Sequence, residues 1–308
     1  MMPENRKQKT EDLKNQHRWQ KLNYQALGCP FEIGLPIEVS KTKLSKLKAQ
    51  ILSISQEFDE NYSRFIESSL ILKIGSKTGE YEVPEELVEM LALFKKLHKL
   101  SLGMITPYSG AILENIGYDK NYSLSSKNKK VKVYPFDEVI EIVGKNRVFL
   151  KKEIVIDLGC FGKGFLVDKL GECIVDFGIK DFYVDGSGDT LAKGDVAVVS
   201  GLEHPVLENQ IIGIMNLQNG ALCASGTKRR AWQNFHHIVN PETSLPAQEI
   251  IATFVFAKKT VVADALATAL FLVPPQVFEN DFEFEYLIIN KDMRVKRSSG
   301  FDAHIYTL

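Results

Sequence analysis

Apolar residues recur at helical spacing along the first third of the chain. Leu44, Leu47, Ile51, Ile54 and Phe58 are separated by alternating three- and four-residue steps, which gathers them on one face of an amphipathic helix. A second helix is expected from about Pro84 to a stop before Gly103, with Leu87, Leu91, Phe94 and Leu97 turned inward. Residues 165–177 read as a third helix, stopped by Gly178, and residues 262–272 as a fourth. Strands are expected at 24–35, 153–158, 182–184, 251–257 and 286–289, with short strands through about Ala224 and a hairpin closing the chain. Residues 104–135 are rich in turn signals. Grouped strands with intervening helices predict an α+β or mixed α/β fold of mixed sheets with packed helices. They do not alternate regularly enough for a doubly wound parallel sheet.

Composition adds bounds to this picture. With 308 residues, 44% hydrophobic and 25% charged, the chain is long enough to bury a sizeable core. Residues 1–20 read as a polar tail and 21–308 as a single domain. A formal net charge of -1 gives no footprint for nucleic acid. No apolar run reaches membrane-spanning length, and the charged start lacks the apolar segment of a secretory signal. Cys29, Cys160, Cys173 and Cys223 are scattered and form no CxxC pair. Reduced thiols and a cytoplasmic location are the expectation.

Four segments carry candidate chemistry. At Asp157-Leu158-Gly159-Cys160-Phe161-Gly162-Lys163-Gly164 a strand ends, the chain turns on glycines and a helix begins. The unpaired first amides of that helix and the charge on Lys163 suit an anion. A purely structural tight turn fits equally well, and the spacing is neither Walker A nor GxGxxG. In Val261–Ala269, Asp264 and Thr268 lie four apart on a small-residue helix and project from one face. These hard oxygens suit Mg²⁺ or Ca²⁺, although a helix-start Asp with a back-bonded Thr is the plainer local reading. His236 and His237, adjacent on an expected strand, point to opposite sides and cannot chelate one metal together. The turn Asp185-Gly186-Ser187-Gly188-Asp189 allows close backbone approach to a ligand, or is an ordinary β-turn. Ser63-Arg64-Phe65 is a flavin or nucleotide contact, or merely the end of a helix.

Taken in order, these segments resemble the FAD:protein FMN transferases, the ApbE family, across about residues 22–275. The resemblance rests on Leu27-Gly28-Cys29-Pro30-Phe31, on Ser63 to Leu70, and on a DLGxxxKG turn at Asp157 to Gly164. It continues through Asp185 to Asp189, Ala224-Ser225-Gly226, His237-Ile238-Val239-Asn240-Pro241, and Ala263 to Ala269, which reads ADALATA. It implies an ApbE-like, T-fold-related architecture. It also implies Mg²⁺ held by Asp264, Thr268 and a backbone carbonyl placed at Cys160, and nucleotide contacts from Asp157 and Lys163. Leu27 and Phe65 fall where the family lines its flavin pocket, and Thr106, Pro107 and Tyr108 fall in its FAD contact segment. His237 corresponds to the residue that helps activate an acceptor hydroxyl. Departures are an Asp and a Thr replaced within Gly103–Gly110, Asn240 for Asp, and Ser244 for Gly.

The implied activity moves the FMN half of FAD onto a Thr or Ser hydroxyl of an acceptor flavoprotein and releases AMP. Two alternatives share the site: an FAD pyrophosphatase, in which water attacks, and an FAD-binding protein without catalysis.

Overall fold

The computed structural model describes residues 19–127, 129 and 131–306. Its centre is an eight-stranded sheet: β1 (Trp19–Ala26), β2 (Cys29–Pro36), β3 (Phe182–Asp185), β4 (Asp189–Lys193), β5 (Gly220–Gly226), β6 (Ile250–Ala257), β7 (Phe284–Asn290) and β8 (Val295–Arg297). The order in space is the order in the chain. Every neighbouring pair is antiparallel, so the sheet is not mixed in strand direction. Four main helices are inserted between strands: α1 (Lys41–Tyr62), α2 (Glu85–Leu100), α3 (Gly162–Asp176) and α4 (Thr260–Ala269).

Side-chain alternation explains why both faces of this sheet are covered. Ala221 and Cys223 of β5, Val255 and Ala257 of β6, and Tyr286 and Ile288 of β7 face one core, shared with α1 to α4. Their neighbours Leu222, Ala252, Phe254, Leu287 and Ile289 face a second core. A three-stranded sheet of Val198–Glu203, Ile211–Leu217 and His304–Ile305 covers that side. The result is three layers, helices on sheet on sheet, and the α+β expectation holds.

The predicted helices are present. Leu87, Leu91, Phe94 and Leu97 are fully buried from α2, as are Leu47, Ile51 and Phe58 from α1. Gly178 ends α3 at φ +68°, a left-handed conformation in which glycine pays no Cβ penalty.

The strand expected at 24–35 is instead the hairpin β1–β2. Ala26 pairs with Cys29 across a two-residue turn in which Leu27 and Gly28 both have positive φ, +51° and +67°. That is type I′ geometry, and a leucine at its first position hides the turn in an otherwise apolar pattern. Residues 153–158 belong to no sheet. The Ile154 amide donates to the Gly75 carbonyl at 3.0 Å and the Asp157 amide to the Pro107 carbonyl at 2.8 Å, so the end of the short helix Leu70–Gly75 and the turn at Pro107 take the bonds a ladder would have used. Trp19 and Gln20, expected in the tail, are the first residues of β1. The rest of the tail lies outside the described residues. No helix among the described residues is long and apolar enough to cross a membrane.

Helices α3 and α4 cap one another. Asp168 of α3 accepts hydrogen bonds from the first two amides of α4, at Thr260 and Val261, both at 2.9 Å. Asp264 of α4 accepts from the third amide of α3, at Gly164, also at 2.9 Å. A Cβ at Gly164 would stand 2.6 Å from the Thr260 carbonyl oxygen and 2.8 Å from the Asp264 Cβ. Only glycine permits this approach. Asp168→Ala leaves two amides at the start of α4 without their acceptor, so it should lower folding stability by about 1–2 kcal/mol, measured by chemical denaturation. Asp168→Asn, which keeps one oxygen, should lose less.

Candidate functional site

The mutual capping of α3 and α4 holds the three expected oxygen donors, Asp264, Thr268 and the Cys160 carbonyl, at one helix junction. The Thr268 hydroxyl lies 3.4 Å from the Cys160 carbonyl oxygen and 3.4 Å from the Ser225 hydroxyl. Asp264 stands one turn before Thr268 on the same helix and is only 4% exposed. Burial raises its pKa, while Lys163, the Gly164 amide and Arg230 act in the opposite direction. Asp264 does not cap its own helix, because it is the fifth residue of α4 and Asp168 takes that helix's first amides. Among the described residues no group of three or more His, Cys, Asp or Glu is arranged to hold a metal. The set here is one carboxylate, one hydroxyl and one carbonyl. That donor set fits Mg²⁺, which binds few protein oxygens and retains waters and phosphate oxygens as its other ligands.

The glycine-rich turn is braced by Asp157. Its Oδ2 accepts from Arg64 Nε at 2.5 Å and its Oδ1 from the Gly159 amide at 2.6 Å. Both oxygens are therefore engaged within the protein, and the carboxylate positions the loop. Lys163 forms an ion pair with Asp189, which is fully buried.

An aromatic group flanks this turn. Phe65 stacks on Tyr122 with ring centroids 5.4 Å apart and planes 9° apart. Tyr118 stacks on Trp232 at 5.6 Å, and Trp232 on Phe235 at 6.2 Å. The Arg64 guanidinium lies over the Phe65 ring, 4.2 Å from its centroid, a favourable cation–π placement. Leu27 is half-buried at the tip of the β1–β2 hairpin. Thr106, Pro107 and Tyr108 behave differently from the expectation. Thr106 accepts from the Tyr108 amide at 3.2 Å, and the Pro107 carbonyl holds the Asp157 amide. Tyr108 is fully buried and donates its hydroxyl hydrogen to the Phe136 carbonyl at 3.0 Å. The side chains of Thr106 and Tyr108 are committed to the scaffold behind the turn, and Tyr108 has no face left for a ligand.

The two histidines differ in role. The two-residue strand Phe235–His236 ends before His237, which lies in a bend rather than on a strand as expected. His236 bonds the Ala247 carbonyl through Nε2 at 2.7 Å and accepts the Ile238 amide at Nδ1 at 3.3 Å. It is a structural brace. The His237 Nδ1 is buried with no hydrogen-bond partner among the described residues. Burial, then the charges of Arg230, His236 and Lys163, push its pKa down to about 3, against a contact with the Arg230 backbone that acts the other way. The ordinary value near 6.5 does not apply to this ring. Asn240 does not orient it: its Oδ1 accepts the Glu242 and Thr243 amides at 2.8 and 3.3 Å and shapes the following turn.

The sequence pattern of the ApbE family matches residues 27–282. The chain belongs to the ApbE family.

The FAD:protein FMN transferase of Haemophilus influenzae is 23% identical, over 91% of this chain and 90% of that protein. The FAD:protein FMN transferase of Buchnera aphidicola is 25% identical, and there the match spans 64% of this chain and 63% of the relative. The crystal structure of the ApbE protein from Thermotoga maritima superposes with a TM-score of 0.83 at 24% identity, covering 92% of this chain and 98% of that one. The flavin transferase ApbE from Vibrio cholerae gives 0.77 at 20% identity, covering 92% and 97%. These structural likenesses establish the ApbE fold.

Within that fold, Arg230 lies beside the candidate site although nothing in the sequence pattern marks it, and Arg64, expected only as part of Ser63-Arg64-Phe65, braces the glycine-rich turn. Arg64 sits inside a segment already of interest, and its burial at 6% exposure distinguishes it from a surface arginine. Nothing local separates Arg230 from Arg229. The latter pairs with Glu203 and bonds the Ser187 carbonyl on the exposed side, whereas Arg230 turns inward and donates to the Cys29 sulfur at 3.5 Å.

The depressed pKa of His237 has a stability consequence. Below pH 6.5 the unfolded chain takes up a proton at this residue that the folded chain refuses until about pH 3. Stability therefore falls as pH drops through that window. The protein should lose about 2 kcal/mol more between pH 7 and pH 5 than His237→Gln does, read from denaturation curves at the two pH values.

Proposed function

We propose that the chain is an FAD:protein FMN transferase that moves the FMN moiety of FAD onto a Thr or Ser hydroxyl of an acceptor flavoprotein, releasing AMP. The observation that carries this reading is the meeting of the Cys160 carbonyl, Asp264 and Thr268 beside Lys163, within an ApbE fold. Two of its relatives carry the name FAD:protein FMN transferase. The four unpaired cysteines support a reducing compartment, and the cytoplasm is the proposed location.

The reaction is displacement at phosphorus. The acceptor oxygen forms a bond to the FMN phosphorus, the bond from that phosphorus to the bridging oxygen breaks, and AMP leaves with that oxygen. Mg²⁺, held by Asp264, Thr268 and the Cys160 carbonyl, would neutralise diphosphate charge and stabilise the leaving oxygen. Lys163 exchanges part of its pairing with Asp189 for a phosphate oxygen. Asp157 and Arg64 keep the turn in register. Phe65, with Leu27 at the hairpin tip, offers apolar surface to the planar ring systems of FAD.

His237 takes the hydroxyl proton at its unpartnered Nδ1. The ring is neutral at physiological pH and free to accept, but its low pKa makes it a weak base in the empty site. Burial is the main cause of that low pKa, and diphosphate charge beside Arg230 and Lys163 offsets the part that those two cations add, so FAD binding strengthens the base to that extent. His237→Ala should abolish transfer and leave FAD bound, as read by acceptor fluorescence and calorimetry. Full transfer by the variant removes the assignment.

FAD should bind more tightly than FMN, and riboflavin weakly, because Lys163 and the turn serve a diphosphate. Equal affinities by titration calorimetry count against this. Incubation with FAD, Mg²⁺ and an acceptor tests the function as a whole. Transfer gives a fluorescent acceptor band, hydrolysis gives free FMN alone, and a binding protein gives neither.

Asp264→Ala should raise the Mg²⁺ requirement steeply or end activity. Thr268→Val should be partly rescued by excess metal, since a water fills the vacated position. Asp264→Ala should also cost about 1 kcal/mol of stability through the lost cap on Gly164, which melting curves report separately. An unaltered Mg²⁺ curve for Asp264→Ala sinks the magnesium assignment.

A further inference from the structure

Arg230 is mostly withdrawn from solvent, yet among the described residues it has no carboxylate partner. Among the described residues it enters no ion pair, and its side chain's one recorded hydrogen bond is to the sulfur of Cys29, at 3.5 Å from Nη2. A thiol is a weak acceptor, and a guanidinium carries five N–H donors in a rigid fork. Holding such a charge inside a protein without an anion is costly.

The surroundings specify what the fork faces. Cys29 follows the turn of the β1–β2 hairpin, so Arg230 reaches under that hairpin. It lies close enough to Tyr118, Asp157, Asp264 and His237 to act electrostatically on all four. Asp157 is already neutralised by Arg64, whose own Nη1 is buried with no partner, and Asp264 is held by the Gly164 amide. The neighbouring carboxylates thus have other partners, and the fork is near enough to act on both Asp264 of the oxygen-donor cluster and His237, whose Nδ1 has no partner among the described residues.

We infer that Arg230 is a second phosphate-binding cation of this site, gripping a non-bridging oxygen of the FMN phosphate of FAD while Lys163 serves the same diphosphate from the α3 side. The inference rests on the transferase reading and adds a residue to it. A forked guanidinium is geometrically matched to phosphate oxygens. Beside the phosphorus that is attacked, it stabilises charge that builds on the equatorial oxygens during displacement. The same position explains why an arginine lies next to the proton acceptor. Phosphate binding offsets the Arg230 charge, one contributor after burial to the low pKa of His237, and so couples substrate entry to basicity.

The test compares the wild-type chain with Arg230→Gln and Arg230→Lys, using FAD and riboflavin as titrants. Arg230→Gln should weaken FAD binding about ten-fold or more and leave riboflavin affinity unchanged, since riboflavin has no phosphate. Arg230→Lys should lie between the two, retaining charge without the fork. In the ligand-free protein, the His237 imidazole followed by NMR should titrate at higher pH in Arg230→Gln. Three groups press on that ring, Arg230, His236 and Lys163, and only the first is removed.

Unchanged FAD affinity in folded Arg230→Gln, or equal losses for FAD and riboflavin, overturns the inference. If Arg230→Gln does not fold, Arg230→Lys carries the same comparison, and equal effects on the two titrants again overturn it. Failure of the wild-type chain to bind FAD at all overturns the transferase reading itself, which separates the two failures.

Discussion

The site depends on one contact, the mutual capping of α3 and α4. Helix ends leave backbone amides unpaired, and an amide buried without an acceptor is expensive. Here each helix supplies the other's acceptor, through Asp168 and Asp264, and Gly164 removes the Cβ that would hold the two apart. Everything that converges on the candidate Mg²⁺ position inherits its placement from this contact. Thr268 lies one turn beyond Asp264, and the Cys160 carbonyl lies just before the first turn of α3. One carboxylate therefore serves two ends, a structural one at Gly164 and the proposed metal.

Around that contact the site is a balance of buried charges. Asp157 is matched by Arg64 and Asp189 by Lys163, both inside the protein. Arg230 is the unmatched member. Its positive charge adds to burial in driving the His237 ring well below its ordinary range. The diphosphate proposed above would supply an anion here and ease the part of the His237 depression that comes from the neighbouring cations. The architecture permits this because the His237 loop, the β1–β2 hairpin and the start of α3 are anchored separately. Trp232 fixes the first by donating to the Ile116 carbonyl at 3.0 Å and packing with Ile112, Leu113 and Val239.

Legibility of the fold followed the range of the forces involved. The helices were readable because their burial is periodic within a single segment, as in Leu87, Leu91, Phe94 and Leu97. Residues 153–158 were misread because an apolar run says only that a segment is buried. Whether its amides meet a neighbouring strand, or a helix end and a turn, depends on residues 75 and 107, far away in the chain. The β1–β2 turn was missed because Leu27 adopts a left-handed conformation that its side chain does not favour, held by the pairing on either side. Among the candidate site residues, the oxygen donors were found through their spacing on one helix face and through an ordered set of motifs. Thr106 and Tyr108 came from the same kind of match, but their side chains are spent on the Tyr108 amide and the Phe136 carbonyl.

The sequence by itself determined the pattern of apolar faces, the stop at Gly178, the pairing of Asp264 with Thr268 on one helix face, and the resemblance that named a chemistry. These are properties of near neighbours, or of residue identities taken in order. Only the tertiary structure decided that the eight strands run antiparallel in chain order, that His236 is a brace while His237 carries a bare nitrogen, and that Arg230 rather than Arg229 turns inward. Those outcomes depend on burial and on charges brought together from distant segments. Desolvation and Coulomb interactions act through space, and no spacing along the chain encodes them.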